Sequence, residues 1–150
     1  MSQPTEPRFI YAIGALDRTI RRQLGGALEP FSLTIGEYTA LSLLRRDGGH
    51  SNAELARRAL VSPQAMNEVI QSLERRRIIR RRPSETHGSV LSTYLTAAGR
   101  ELLARCDLAV DAMEETMLAG VTTATARQTV SLLLACVRNL QSDPAAQTTA

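Results

Sequence analysis

The stretch LVSPQAMNEVIQSLERRRIIRRR, residues 60–82, decides how the rest of the chain is read. Ser62-Pro63 is a helix start: a hydroxyl that can accept from first-turn amides, then a ring whose fixed φ suits the first helical position. Met66, Val69, Ile70 and Leu73 recur at spacings of three or four and predict one buried stripe on a helix running to about Arg76. Gln64, Asn67, Glu68, Gln71 and Arg75 fall on the other face, which is rich in amides. Asn and Gln can bond bidentately to adenine in the major groove, and a helix N-terminus favours a nearby phosphate. Six arginines then crowd into the eight residues 75–82: Arg75, Arg76, Arg77, Arg80, Arg81 and Arg82. Like charges so close repel one another. An anionic partner relieves that repulsion, and a phosphate backbone is the nearest candidate. The plainer reading is a solvated, Arg-rich face; the amide-bearing helix directly upstream favours nucleic acid.

Upstream, Ser51-Asn52-Ala53-Glu54 is a capping box that opens a short helix ending near Ala59, with Leu55, Ala56 and Leu60 apolar. Three or four residues separate this helix from the next, which is helix-turn-helix spacing. Thr34-Ile35-Gly36-Glu37 is another capping box; its helix is predicted to about Arg46, with Ile35, Tyr38, Leu41 and Leu44 inward and Asp47-Gly48-Gly49 at its end. Downstream, Ile78 to Arg82 and Val90 to Leu95 favour strands, and the turn-rich loop Pro83 to Ser89 joins them into a hairpin, or wing. On its first strand Arg80 and Arg82 share one face and Arg81 takes the other.

The flanks read as long amphipathic helices. The first spans about Arg8 to Leu28, with Ile10, Ile13, Leu16, Ile20 and Leu24 on one stripe, and Pro30 stops it. Thr96 caps a helix to about Leu118, whose apolar positions are Leu102, Leu103, Cys106, Val110, Met113 and Met117. Gly120 breaks it, and a last helix covers about Thr123 to Leu140. These helices are too long to bury their stripes on so small a winged part. They are expected to pair with each other and with a second copy of the chain, the alternative being a monomeric bundle. The expected fold is mainly α with a small β component (α+β): a winged helix-turn-helix with long terminal dimerisation helices. Residues 31–96 form the expected reading domain and residues 8–30 and 97–141 the dimerisation region, between a disordered 1–7 and a loose tail, 142–150.

Composition agrees with this layout. A chain of 150 residues holds one domain, or a small domain with a dimerisation element. Aromatic residues make up only 3% and Trp is absent, so the core is built from aliphatic side chains, the palette of packed helices rather than of an aromatic RNA platform. All 18 basic residues are arginine, so every phosphate contact can be planar and bidentate. Residues 51–100 hold nine arginines against four acids, and the remainder nine against eleven, which places the anion-binding surface in the middle. The polar N-terminus lacks a signal-peptide core and the longest apolar run, Leu132 to Val137, is too short for a membrane span, so a cytoplasmic protein is expected.

In order along the chain, Leu33-Thr34, Glu54-Leu55-Ala56, Val61-Ser62, Leu73-Glu74, Ile78-Ile79 with Arg81, and Leu95-Thr96-Ala97-Ala98-Gly99 resemble the MarR family of bacterial winged-helix regulators. The resemblance covers roughly residues 8–140. It implies a homodimer held by terminal helices, a palindromic double-stranded DNA site, and repression relieved by a small ligand or oxidant. It also implies that the helix after Ser62 enters the major groove, with Ser62, Gln64, Ala65, Asn67, Glu68 and Gln71 facing DNA, and that the wing lies along the minor groove. Two positions depart from the family pattern. Arg77 stands where the family usually has Gly, at a cost of about 1 kcal/mol if the backbone is left-handed there. His87-Gly88-Ser89 aligns with the family's Asp-x-Arg, so Ser89 takes the place of the wing-tip arginine, which Arg82 or His87 would have to replace. Weaker dependence on flanking A·T tracts follows.

Gln64, Asn67 and Gln71 are the expected base readers. Ser51, Arg57, Arg58, Ser62, Ala65, Glu68, Arg75, Arg76, Arg77, Arg80, Arg81, Arg82, His87 and Ser89 complete the expected DNA-facing surface, and Arg45 joins the pool of phosphate contacts. An effector site for a small aromatic or anionic ligand is expected between the first, second and fifth helices, near Tyr11, Arg18, Tyr38 and Arg105. His50 and His87, the only histidines, have no second ligand at metal spacing, so no metal or other cofactor is expected. Cys106 and Cys136 sit on apolar stripes and read as core filler, the alternative being oxidant sensing. No nucleophile–base set or nucleotide fingerprint occurs, so an enzyme is not expected. The alternative function is a winged-helix protein–protein adaptor that no longer reads DNA, which Ser89 and Glu68 keep open.

Overall fold

The helix starts behave as their capping residues dictate. The computed structural model describes residues 7–45, 49–84 and 90–142. Its elements are α1 (Phe9–Leu28), a 3-10 turn (Glu29–Phe31), α2 (Ile35–Leu43), α3 (Asn52–Ala59), α4 (Pro63–Arg75), β1 (Ile79–Pro83), β2 (Leu91–Leu95), α5 (Ala97–Met117) and α6 (Thr123–Gln141). Both capping boxes close. The Thr34 hydroxyl accepts from the Glu37 amide at 3.1 Å while Glu37 Oε2 accepts from the Thr34 amide at 2.9 Å. Ser51 and Glu54 repeat the exchange at 3.2 and 2.8 Å. Ser62 accepts from the Ala65 amide at 3.1 Å, and Thr122 from Thr125 at 3.2 Å. Each such cap contributes about 1 kcal/mol by satisfying a donor that the helix leaves unpaired.

Left-handed residues make the joints. Leu60 (φ +57°) turns the chain between α3 and α4, closed by the Val61 amide on the Ala56 carbonyl at 3.1 Å. Expected among the apolar positions of its helix, Leu60 is instead 61% exposed, because that conformation swings it off the buried face. Arg77 is also left-handed (φ +57°). Its amide reaches the Glu74 carbonyl at 2.9 Å and the Ile78 amide reaches Leu73 at 3.0 Å, the double closure of a Schellman motif. Because Ile78 is spent on that closure, β1 begins at Ile79, one residue later than predicted.

The antiparallel hairpin pairs Ile79 with Leu95, Arg81 with Thr93 and Pro83 with Leu91. A feature not foreseen is that His50 bridges Thr93 from the other side: the Thr93 amide donates to the His50 carbonyl at 2.9 Å. This ties the start of α3 to the hairpin. Thr96 then locks α5 onto the joint. Its hydroxyl lies 2.9 Å from both the Arg77 and the Ile78 carbonyl and accepts from the Gly99 amide at 3.0 Å. A Cβ on Gly99 would lie 2.1 Å from the Ile78 oxygen, so only glycine permits this approach.

The described residues up to Met113 and those from Glu114 onward form two compact units. In the first, Leu28, Leu41, Leu55, Met66, Ile70, Leu73, Ile79 and Cys106 are fully buried in one core, so α1 and the start of α5 share the core of the helix-turn-helix. In the second, Gly120 (φ +79°) ends the chain reversal before α6. No α6 residue is buried, and Val130, Leu132, Leu134 and Leu140 are each more than half exposed. On α1, Phe9, Ile10 and Tyr11 are likewise exposed, so the start of the apolar stripe that holds Ile10 is not covered within the chain's described core. No described helix is long and apolar enough to cross a membrane. Of the expected disordered N-terminus, 1–7, and loose tail, 142–150, residues 1–6 and 143–150 lie outside the described residues.

Candidate nucleic-acid interface

α4 packs Met66, Ile70 and Leu73 into the core, and this sets which residues face outward. The opposite stripe is Gln64, Glu68, Gln71 and Arg75, all exposed, with Ala65 beside it. Asn67, expected among the base readers, is half-buried at the edge of that stripe. Ser62 stands at the N-terminus of α4, where its cap and the first-turn amides create a site favourable to anions. The Asn52 side-chain amide donates to the Pro63 carbonyl at 3.0 Å and ties the start of α3 to the start of α4.

The arginines divide into two groups. Arg76 and Arg81 are held by acids. Arg81 donates through Nε to Glu74 Oε2 at 2.9 Å and a second time through Nη2, which anchors β1 to the last turn of α4. Arg76 Nη1 lies 3.4 Å from Glu37 Oε1. Arg45, in the expected phosphate pool, donates to Asp107 at 2.7 Å. Arg75, Arg77, Arg80 and Arg82 are exposed and form no ion pair among the described residues, and Arg57 and Arg58 are exposed on α3. Alternation along β1 follows expectation: Arg80 and Arg82 point outward and Arg81 turns to α4. Ser51 is occupied as the α3 cap. His87 and Ser89 lie outside the described residues.

Glu37 does more than cap. Its buried carboxylate also accepts from Ser72 Oγ on α4 at 2.7 Å, so one side chain joins the start of α2 to α4. Burial pushes its pKa up, but the Ser72 and Thr34 hydrogen bonds and the Arg76 charge overcome this and hold it below the usual carboxylate value. Glu54 is also lowered, by its hydrogen bonds from Ser51. The capping pattern revealed Glu37's local task; nothing in the sequence revealed its reach to α4.

Asp107 was not foreseen either. It accepts from Tyr38 Oη at 3.0 Å as well as from Arg45, so it clamps α2 to α5. Burial, with the Asp107 carboxylate, raises the Tyr38 pKa. Arg105 stacks over the Phe31 ring at 5.4 Å. Of the four expected effector residues, Tyr38 and Arg105 therefore contact other elements at this junction. Tyr11 and Arg18 are exposed on α1, and the described contacts do not bring them to the other two. Cys106 is fully buried, and burial pushes its thiol pKa up; Cys136 is half-buried. Among the described residues no group of three or more His, Cys, Asp and Glu is arranged to hold a metal ion.

The sequence model of the MarR family matches residues 31–88. The HTH-type transcriptional repressor Rv2887 of Mycobacterium tuberculosis is 40% identical over 114 residues, which is 76% of this chain and 80% of that protein. Crystal structures of Rv2887 cover 98% of their own chain: its complex with DNA superposes on 87% of this chain with TM-score 0.69 at 32% identity, and its complex with salicylic acid on 88% with TM-score 0.68 at 34% identity. A DNA complex of S. aureus MepR covers 91% of this chain and 99% of its own, with TM-score 0.80 at 19% identity, a likeness of fold.

Proposed function

This chain belongs to the MarR family, and from that premise we propose that it is a ligand-responsive repressor that binds a palindromic double-stranded DNA site as a homodimer. One observation carries the reading: the outward stripe of α4 is made of groups that bond to bases, and it adjoins arginines that have no acidic partner among the described residues. α4 enters the major groove. Gln64 and Gln71, with Asn67 at the edge, read bases there. Arg57, Arg58, Arg75, Arg77, Arg80 and Arg82 hold phosphates, with Ser62 and the start of α4. Arg82 takes the part along the minor groove that Ser89 cannot. Arg76 and Arg81 act mainly as struts that set the angle of α4 and the wing. Residues 31–96 read the duplex, and residues 8–30 and 97–141 pair two copies through the apolar side chains exposed on α1 and α6, which sets two reading helices about one duplex turn apart.

Because Rv2887 has been solved with salicylic acid, an aromatic carboxylate is the effector class proposed for this chain. The junction of α2 and α5 supports it: Tyr38, Arg45 and Arg105 offer a hydroxyl and two guanidiniums there. A carboxylate competing with Asp107 for Arg45 would loosen the clamp between α2 and α5 and favour a dimer whose half-site spacing no longer fits.

Binding of the full chain to duplexes selected from a random pool tests the reading. The expected result is an inverted repeat and a linear fall of log affinity with log salt, with a slope of roughly −0.9 for each phosphate neutralised. Salicylate should release the complex. Indifference to random duplex even in dilute buffer would return the chain to the adaptor class.

A further inference from the structure

Glu68 occupies the middle of the α4 stripe, between Gln64 and Gln71. It is exposed and has no hydrogen bond or ion pair among the described residues. The other described acids of residues 51–84 are engaged: Glu54 by Ser51 and Glu74 by Arg81. The helix gives Glu68 no cation either, since the positions three and four away are Gln64, Ala65, Gln71 and Ser72. It is thus a carboxylate without a partner among the described residues, on a surface otherwise lined by amides and arginines.

Resting on the DNA-reading function proposed above, we propose that Glu68 is a specificity-determining residue that accepts a hydrogen bond from the N4 amino group of a cytosine at one fixed position in each half-site. The reasoning is electrostatic. An unpaired carboxylate pressed towards a polyanion weakens binding to every sequence unless it meets a donor. The floor of the major groove offers two kinds, adenine N6 and cytosine N4. The adenine donor sits beside the N7 acceptor, whose lone pair opposes a carboxylate. An amide, which carries both donor and acceptor, suits adenine better. Cytosine is the base that a carboxylate flanked by amides can pick out. Glu68 therefore acts by penalty and reward together: sites lacking the cytosine leave its charge buried without a partner.

The test is selection from a random duplex pool with the full-length wild type, Glu68→Gln and Glu68→Ala, followed by competition among the enriched duplexes. The wild type should enrich a C·G pair at one position per half-site and lose on the order of tenfold in affinity when that pair is changed. Glu68→Gln should shift that position towards A·T, and Glu68→Ala should leave it unselected, with every other position unchanged. If instead both variants select the wild-type site and bind all duplexes tighter by a common factor, Glu68 is only a repulsive charge and the inference is overturned. A wild type that enriches no sequence overturns the DNA-reading function itself, and the inference falls with it.

Discussion

Residues 28–106 and helix α6 carry similar apolar patterns with opposite fates. Every buried hydrophobic side chain among the described residues lies between Leu28 and Cys106, and none lies on α6. In the first region apolar stripes from α1 to α5 meet one another, and carboxylates such as Glu37 and Glu74 fasten the arginines nearest the joints. On α6, leucines and valines stand exposed. An amphipathic helix announces that it will bury one face, but not whether the covering surface belongs to its own chain. The first region meets its need internally. For α6, the covering surface proposed is a second copy of the chain.

Four experiments strain this contrast, beginning with the largest effect. Gly99→Val should drive side-chain atoms into the Ile78 carbonyl and cost about 3 kcal/mol or more, read as a collapse of the denaturation midpoint; a near-normal midpoint would mean that α5 is not seated on the joint. Glu37→Ala should cost about 2–3 kcal/mol at neutral pH, since Ser72, Thr34 and Arg76 lose a shared acceptor. The wild type carries a pH signature of the same contact. Glu37 and Glu54 are lowered in the folded state, so their contribution is full above the ordinary carboxylate pKa and lost as pH falls through the depressed values. Urea melts between pH 7 and pH 3 should show stability falling on acidification, and falling less steeply in Glu37→Ala.

The remaining two probe exposed side chains, one on α6 and one in the first region. Leu134→Arg on α6 should weaken self-association by about 2 kcal/mol while the helical spectrum of the chain survives, read by sedimentation over a concentration series. Unchanged association would show that this part of α6 does not join the copies. Arg77→Gly should raise stability by about 1 kcal/mol by relieving a left-handed arginine, yet flatten the salt slope of duplex binding by about 1. A gain in stability with no change in slope would remove Arg77 from the phosphate contacts.

Much of the architecture was legible beforehand because it rests on short-range rules. Thr34-Glu37, Ser51-Glu54 and Ser62-Pro63 announce helix starts within one turn, and the structure closes each cap. The left-handed joint at Arg77 follows instead from the family resemblance, in which a glycine usually stands at that position. Other features were out of reach. Leu60 counts among the apolar residues of its helix, yet the turn swings it out. His50 gave no sign of bridging Thr93, since an isolated bridge leaves no periodic pattern. Within the site, the outer stripe of α4 was readable as a set, but the half-burial of Asn67 depended on which side of the helix the core chose.

Sequence alone determined the succession of helices, their caps and the concentration of guanidiniums after residue 74, for these depend on neighbours within a few positions. Which guanidiniums are held and which stand open was settled only when distant segments met. Arg76 is held from 39 positions away by Glu37, and Arg45 from 62 positions away by Asp107. An ion pair needs its partners within a few ångströms in space, and only the packed core brings residues so far apart along the chain to that distance.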